Sequence, residues 1–215
     1  MIWAILDNQR IEATPKQKAL CPLCNQDVIS KCGFIKIWHW AHKQQEECDS
    51  FGEPETEWHI NWKNQFPKEC QEVIIKKCVS DYCNDKKYHA PCNHVDCNDC
   101  DFVIHKADIK TKDKKVIEFQ NSSISSEQIE EREKFYNNMI WILNGKTIAK
   151  NLKFFKQRYK WNWFPKSWQF SKKQIYIDLG SIFLYKLDSI NSNGIFYKIS
   201  KEAFIVQNGG NPWKK

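Results

Sequence analysis

The chain has 215 residues, 41% of them hydrophobic and 27% charged, enough apolar material to bury a core and too much for a disordered polymer. Its opening, Met1 to Asp7, has no basic leader and meets a charge too early for a signal segment, and no later apolar run reaches membrane-spanning length. The expected compartment is the cytosol, with no membrane partner. The net charge of +7 is modest, but from Lys134 to Lys173 every ionisable side chain is lysine, arginine or tyrosine, and the next carboxylate is Asp178. That run implies a polyanionic partner.

Residues 2–13 alternate around the turn Asp7-Asn8-Gln9, which predicts a β-hairpin with Ile2, Ala4 and Leu6 near one face. In a reducing compartment thiolate–metal bonds persist where disulfides do not, so the 10 cysteines read first as metal ligands. Cys21-x2-Cys24 and His39-x2-His42 flank a hairpin around Lys31-Cys32-Gly33, giving Zn2+ the four N/S ligands of a closed structural site. Cys32 or Cys48 could replace one ligand. The competing reading is a buried thiol pair beside a histidine pair that starts a helix.

Residues 53–66 open with acidic residues and a proline and then space Trp58, Trp62 and Phe66 by four, which predicts an amphipathic helix. Glu55, His59 and Lys63, at i, i+4 and i+8, share a stripe on it. Taken alone, that stripe favours a solvated edge. Residues 71–77 read as a strand. The stretch 78–100 then carries Cys78, Cys83, Cys92, Cys97 and Cys100 with His89 and His94, a long loop that needs a cross-link. A second Zn2+ held by Cys78, Cys83, Cys97 and Cys100 would supply one, with Cys92 or His94 as alternatives.

Residues 104–120 read as two strands joined by a lysine-rich turn at 112–115. Asp108 and Glu118 sit among apolar neighbours in these strands, where an unpaired carboxylate is costly. A hairpin brings the two side by side, where they could hold Mg2+ or Mn2+ for phosphodiester hydrolysis. Gln120 lies two residues on, on the Glu118 face, and an amide there could orient water but carries no charge. Ser125 offers an N-cap with Gln128 completing a capping box, for a helix reaching about Asn138. Residues 139–143 form a buried strand closed by Asn144-Gly145. The tail suggests strands at 158–164, 174–179, 182–187 and 195–199, with Asn193-Gly194 as a turn. Strict alternation at the first of these places Tyr159, Trp161 and Trp163 on one face, as core, and Arg158, Lys160 and Asn162 on the other. Arg158 and Lys160 are then candidate phosphate contacts, extended by Lys146, Lys150, Lys153 and Lys156.

In order, CPLC, HWAH, ET-x-x-H-x-x-x-K, HKAD, EFQ-x-S-x-IS, Arg132-x-x-x-Tyr136 and WIL resemble the competence protein CoiA family from about residue 1 to about residue 190. The resemblance implies an α/β, restriction-endonuclease-like mixed sheet with flanking helices, an N-terminal zinc-binding module and a β-rich C-terminal extension. It implies a PD-(D/E)xK nuclease with Glu55, Asp108, Glu118 and Gln120 at the active-site positions and His59 and Lys63 as motif neighbours. The ExQ form is common in this branch. The expected organisation is a module at 1–50, a nuclease core at 51–145 interrupted at 78–100, and a basic aromatic region at 146–215. The expected activity is Mg2+- or Mn2+-dependent cleavage of single- or double-stranded DNA. Two alternatives compete with it: a zinc-stabilised nucleic-acid-binding protein without catalysis, and an interaction module of a recombination or defence complex.

Overall fold

The computed structural model describes residues 1–43, 48–78, 102–146 and 148–211. The first hairpin forms as its turn residues dictate: β1 (Trp3–Leu6) and β2 (Gln9–Glu12) meet across Asp7 and Asn8, whose φ angles of 50° and 61° match the strand twist. With β3 (Lys18–Leu20), β4 (Asp27–Lys31) and β5 (His39–His42) they make an antiparallel sheet of order β2-β1-β3-β4-β5. Its small core gathers around Ala4, Ala19, Val28 and Trp40.

A second sheet contains β6 (Gln71–Cys78), β7 (Phe102–Lys110), β8 (Val116–Gln120), β9 (Met139–Asn144), β10 (Leu152–Phe155), β11 (Arg158–Trp161), β12 (Gln174–Asp178), β13 (Phe183–Leu187) and β14 (Asn193–Ser200). Its order is β10-β11-β14-β13-β12-β9-β8-β7-β6, so the C-terminal strands continue the sheet that carries Asp108 and Glu118. β8, β9 and β12 run parallel and the other pairs antiparallel. Joining parallel β8 to β9 requires a crossover, which α2 (Ser126–Tyr136) provides, started by the expected Ser125/Gln128 capping box. The parallel strands are buried on both faces, which is why β9 reads as an almost continuous apolar run and why Glu118 and Gln120 of β8 are enclosed. One face packs Trp141 and Ile177 against Ile129 and Tyr136 of α2. The other packs Phe119 and Ile142 against Trp62 of α1 (Glu57–Lys63) and Phe204 of α3 (Lys201–Gln207). The architecture is mixed α/β, as expected.

Helix α1 is shorter than its sequence pattern: Thr56 is the N-cap, and the box is closed by His59. Glu55 therefore precedes the helix and does not share its stripe. Asp178, at the end of β12, anchors the helix. Its Oδ2 accepts from Trp58 Nε1 and Trp62 Nε1, both at 2.9 Å, while Oδ1 takes Lys201 Nζ at 2.7 Å and the Gly180 N–H at 2.8 Å.

The tail departs from expectation at particular residues. β11 ends at Trp161, and Trp163, with φ 58° and 87% exposed, leaves the buried face that Tyr159 and Trp161 keep. Asn193 and Gly194 start a strand and make no turn; a Cβ on Gly194 would lie 2.9 Å from Tyr159 Cε1, so close approach explains the glycine. β10 and α3 carried no sequence signal strong enough to place them. Among the described residues no helix is long and apolar enough to cross a membrane.

Asp178→Ala would remove the acceptor that the Trp58 and Trp62 indole N–H groups share and the ion-pair partner of Lys201. It should lower stability by about 3 kcal/mol, read as a shifted urea midpoint, and an unchanged midpoint would contradict the anchor.

Candidate active site

The ladder between β7 and β8 pairs Ile109 with Ile117 and Lys110 with Val116. At the next step toward Asp108 and Glu118, side chains take over from the backbone. The Asp108 N–H donates to Glu118 Oε1 at 3.1 Å and the Phe119 N–H to Asp108 Oδ2 at 2.9 Å. Two carboxylates thus occupy the opening where the strands part. Glu118 is buried, whereas the Asp108 side chain keeps 18% exposure. Burial, and then the Asp108 charge, push the Glu118 carboxyl up to about 8, with Arg132, 3.6 Å from Oε2, offsetting only part.

Above this pair lies Lys63, the last residue of α1. Its Nζ is 2.9 Å from Asp108 Oδ1, 3.0 Å from Glu55 Oε1 and 3.1 Å from Glu72 Oε1. Burial alone would lower its pKa; Asp108, Glu55 and Glu72 outweigh that and raise it well above the usual lysine value. Glu72 is fully enclosed. It accepts the N–H groups of Ile2 and Trp3, and although burial pushes its carboxyl up, Lys106 and Lys63 hold it well below the usual range. Its backbone has φ 45°, a left-handed conformation in a strand that costs on the order of 1–3 kcal/mol and persists because the side chain is so fully bound.

A second group lies alongside. Glu53 accepts from His59 Nε2 at 2.9 Å, Gln120 Nε2 at 3.1 Å and the Asn121 N–H at 3.1 Å, and is also bonded by Ser122. Burial pushes its carboxyl up, but these donors, His59 first, hold it at about 2. His59 is held upward in turn: burial lowers it, and Glu53 and Asp108 more than compensate. Gln120 is committed at both ends, its Nε2 to Glu53 and Ser122 O, its Oε1 to Arg132 at 3.4 Å.

Of the sequence candidates, the structure brings together Asp108, Glu118, Lys63 and Glu55, and sets His59 and Gln120 around Glu53. The solvated edge expected of the His59 and Lys63 stripe is corrected, because both side chains are buried and His59 Nε2 is taken by Glu53 and by Phe119 O. Glu53 and Glu72 were missed. The acidic pair around Pro54 was a signal for Glu53, while Glu72, inside the strand expected at 71–77, had none.

The N-terminal metal set is also corrected. Ligand atoms of Cys21, Cys24, His42 and Cys48 lie within 4.8 Å of one another, and His39 is outside. His39 and His42 sit three apart on a strand, so they face opposite ways, and His39 Nδ1 binds Ile37 O at 2.8 Å. The separations Cys21 Sγ–Cys48 Sγ, 3.6 Å, and Cys24 Sγ–His42 Nε2, 3.3 Å, are close to the edge of roughly 3.7 Å that tetrahedral ligands at about 2.3 Å would span. The cluster can hold a metal ion. Asp49, next to Cys48, reaches the second sheet: it binds His105 Nδ1 and the Lys106 N–H, both at 2.8 Å. Phe51 stacks on the same His105 at 3.4 Å.

Arg158, Lys160, Lys153 and Lys156 are exposed on β10, β11 and their turn, at the opposite end of the sheet from β6–β8. The second cysteine cluster, Cys83, Cys97 and Cys100 with its alternatives, falls outside the described residues, with Cys78 at the end of β6.

Fold and site together define a class: a mixed α/β protein whose sheet opens around an acidic cluster, joined to a small module with a Cys/His metal-ligand set. Residues 4–51 match the family described as competence protein CoiA, N-terminal domain, and residues 100–206 that described as competence protein CoiA, nuclease-like domain. The chain belongs to the competence protein CoiA family. Competence protein CoiA of Bacillus subtilis (strain 168) is similar, 33% identical over 65 residues, a stretch covering 30% of this chain and 17% of that relative. No solved structure matches.

Because Glu118 titrates above its ordinary value of 4.5 in the folded state, its protonated form favours folding. That contribution is complete at acid pH and is lost as pH rises through about 8. Without added divalent metal, the thermal midpoint should fall as pH rises from about 4.5 to about 8 and level off above that, and Glu118→Gln should flatten the decline. Equal slopes for both proteins would contradict the assignment.

Proposed function

We propose that the protein is a divalent-metal-dependent nuclease of the restriction-endonuclease-like PD-(D/E)xK type, hydrolysing phosphodiester bonds in DNA. The observation that carries this reading is the opening between β7 and β8, where Asp108 and Glu118 stand side by side with the Lys63 ammonium 2.9 Å from Asp108. The nuclease-like domain match supports it. Mg2+ or Mn2+ held by Asp108 and Glu118 would activate water and neutralise charge on the phosphorane.

The remaining chemistry belongs to the chain. Glu118 must release its proton before it can bind a cation, and Arg132 favours that release. Lys63 supplies the positive charge that Gln120 cannot, from a helix in place of the strand position two residues after Glu118. Gln120 acts as a positioning residue, tying Glu53 to Arg132. Lys106 adds a second cation, 3.7 Å from Glu72. The distant basic edge, with Arg158, Lys160, Lys153 and Lys156, would contact phosphates away from the cleavage point. The Cys21, Cys24, His42 and Cys48 set, three thiols and an imidazole with ligand atoms within 4.8 Å of one another, suits structural Zn2+.

A non-catalytic nucleic-acid-binding role is the second reading. Lys63 already ion-pairs with Glu55, Glu72 and Asp108 together, so the cluster could serve as a buried charge lock. Labelled single- and double-stranded DNA incubated with Mg2+ or Mn2+ separates the two. Cleavage should depend on the metal, and Asp108→Ala and Lys63→Gln should each reduce it by at least about 100-fold. Folded Asp108→Ala protein cutting at the wild-type rate would remove the nuclease assignment.

The zinc assignment has its own test. Elemental analysis should find about one zinc per chain or more, Cys48→Ser should lose that ion, and His39→Ala should keep it. The reverse pattern would restore His39 as the ligand.

A further inference from the structure

Residues 32–38 connect β4 to β5 and carry a concentration of exposed apolar side chains. Phe34 and Ile35 are essentially fully exposed at 110% and 98%, with Trp38 at 49% and Ile37 at 38%. Isolated exposed hydrophobes are ordinary; four within five residues at one loop tip mark a surface that is covered in use.

The surroundings of the tip specify what covers it. No carboxylate occurs between Asp27 and Glu46, whereas Lys31, Lys36 and Lys43 are all exposed there. An apolar protein helix would be served by the hydrophobes but would gain little from the lysines Lys31, Lys36 and Lys43 beside them. A nucleic-acid strand uses both: bases stack on aromatic faces and phosphates meet the cations.

The tip is also continuous with the acidic cluster. Ile35, Lys36 and Ile37 line the same cleft, of about 840 Å3, as Glu53, Glu55 and Lys106. The tip is firmly rooted as well. β4 and β5 pair over four residues, Trp40 is buried at their base, and His42 at the end of β5 belongs to the metal-ligand set. Duplex bases are stacked on one another and offer no free faces to Phe34 or Trp38, whereas unpaired bases do.

We propose that this hairpin tip is a base-stacking grip for single-stranded nucleic acid, holding unpaired nucleotides on Phe34 and Trp38 and leading the strand into the cleft beside Glu53 and Glu55, which also line the small adjoining pocket of Asp108 and Glu118. The inference rests on the nuclease reading for the destination of the strand, but the grip is measurable without cleavage.

The test is fluorescence anisotropy of the full chain with a labelled oligothymidylate and with a blunt duplex, in Ca2+ buffer. Phe34→Ala/Trp38→Ala should weaken single-strand binding by about 5- to 100-fold and leave duplex binding within about two-fold. Lys31→Gln and Lys36→Gln should each lower the log–log salt slope by about 0.7. As a check on the unmodified protein, photocrosslinking to an oligonucleotide with 5-iodouracil should label a peptide containing residues 34–38. Unchanged single-strand affinity, equal losses on both substrates, or crosslinks confined to other peptides would overturn the grip. So would a change of oligomeric state in the double variant with oligothymidylate binding intact, which would make the tip a protein contact. If the grip is confirmed and no condition yields cleavage, the nuclease reading fails and the grip stands. If cleavage is intact and the double variant binds normally, only the grip fails.

Discussion

One buried ammonium organises this molecule. Lys63 is 2% exposed, and taking a charge so far from water costs several kcal/mol unless it is matched. The match comes from three separate pieces of chain: Glu55 before α1, Glu72 at the start of β6, and Asp108 on β7. None of them is placed until the others are, because each carboxylate left without the lysine would be a buried charge of its own. The geometry of the acidic cluster is therefore a consequence of satisfying Lys63. Helix α1 brings the lysine to that point because Asp178 ties Trp58 and Trp62 to the end of β12.

The same constraint joins the two sheets. Glu72 belongs to the nine-stranded sheet, yet it accepts the N–H groups of Ile2 and Trp3, at the beginning of the other. On the far side of the cleft, Cys48 of the metal-ligand set is followed directly by Asp49, which binds His105 and Lys106 on β7. The chain from Asp49 to Glu55 is thus fixed at one end by the Cys/His cluster and the β7 contacts, and at the other by Lys63. Glu53 lies between these anchors, bound to His59 and to the residues just after β8. The N-terminal module is part of the wall of the cleft.

Where local chemistry decides, the sequence could be read directly. The Asp7-Asn8 turn, the Ser125/Gln128 capping box and the strand pair around the 112–115 turn needed only neighbouring residues. Asp108 and Glu118 stood out because charges in apolar strands need a reason. Where tertiary contacts decide, reading failed in specific ways. Glu72 owes its importance to partners 9 and 70 residues away, and nothing in its neighbourhood signals them. His39 was paired with His42 by spacing alone; treating the segment as a strand would have set the two on opposite faces and left Cys48 to complete the set. Gly194 resembled a turn glycine and is instead the place where the Tyr159 ring passes close to the backbone. Thr56 moved the helix start past Glu55, which reaches Lys63 from the extended lead-in.

In the proposed nuclease, Asp108 and Glu118 form a cation site and Lys63 is the charge beside it. The most direct measurement is a crystal structure of the protein soaked in Mn2+, with anomalous scattering used to locate the ion. An anomalous peak is expected within ligand distance of one oxygen each of Asp108 and Glu118, with Lys63 still in the cleft. An undisturbed Lys63–Asp108 ion pair and no peak between the two carboxylates at millimolar Mn2+ would contradict that site.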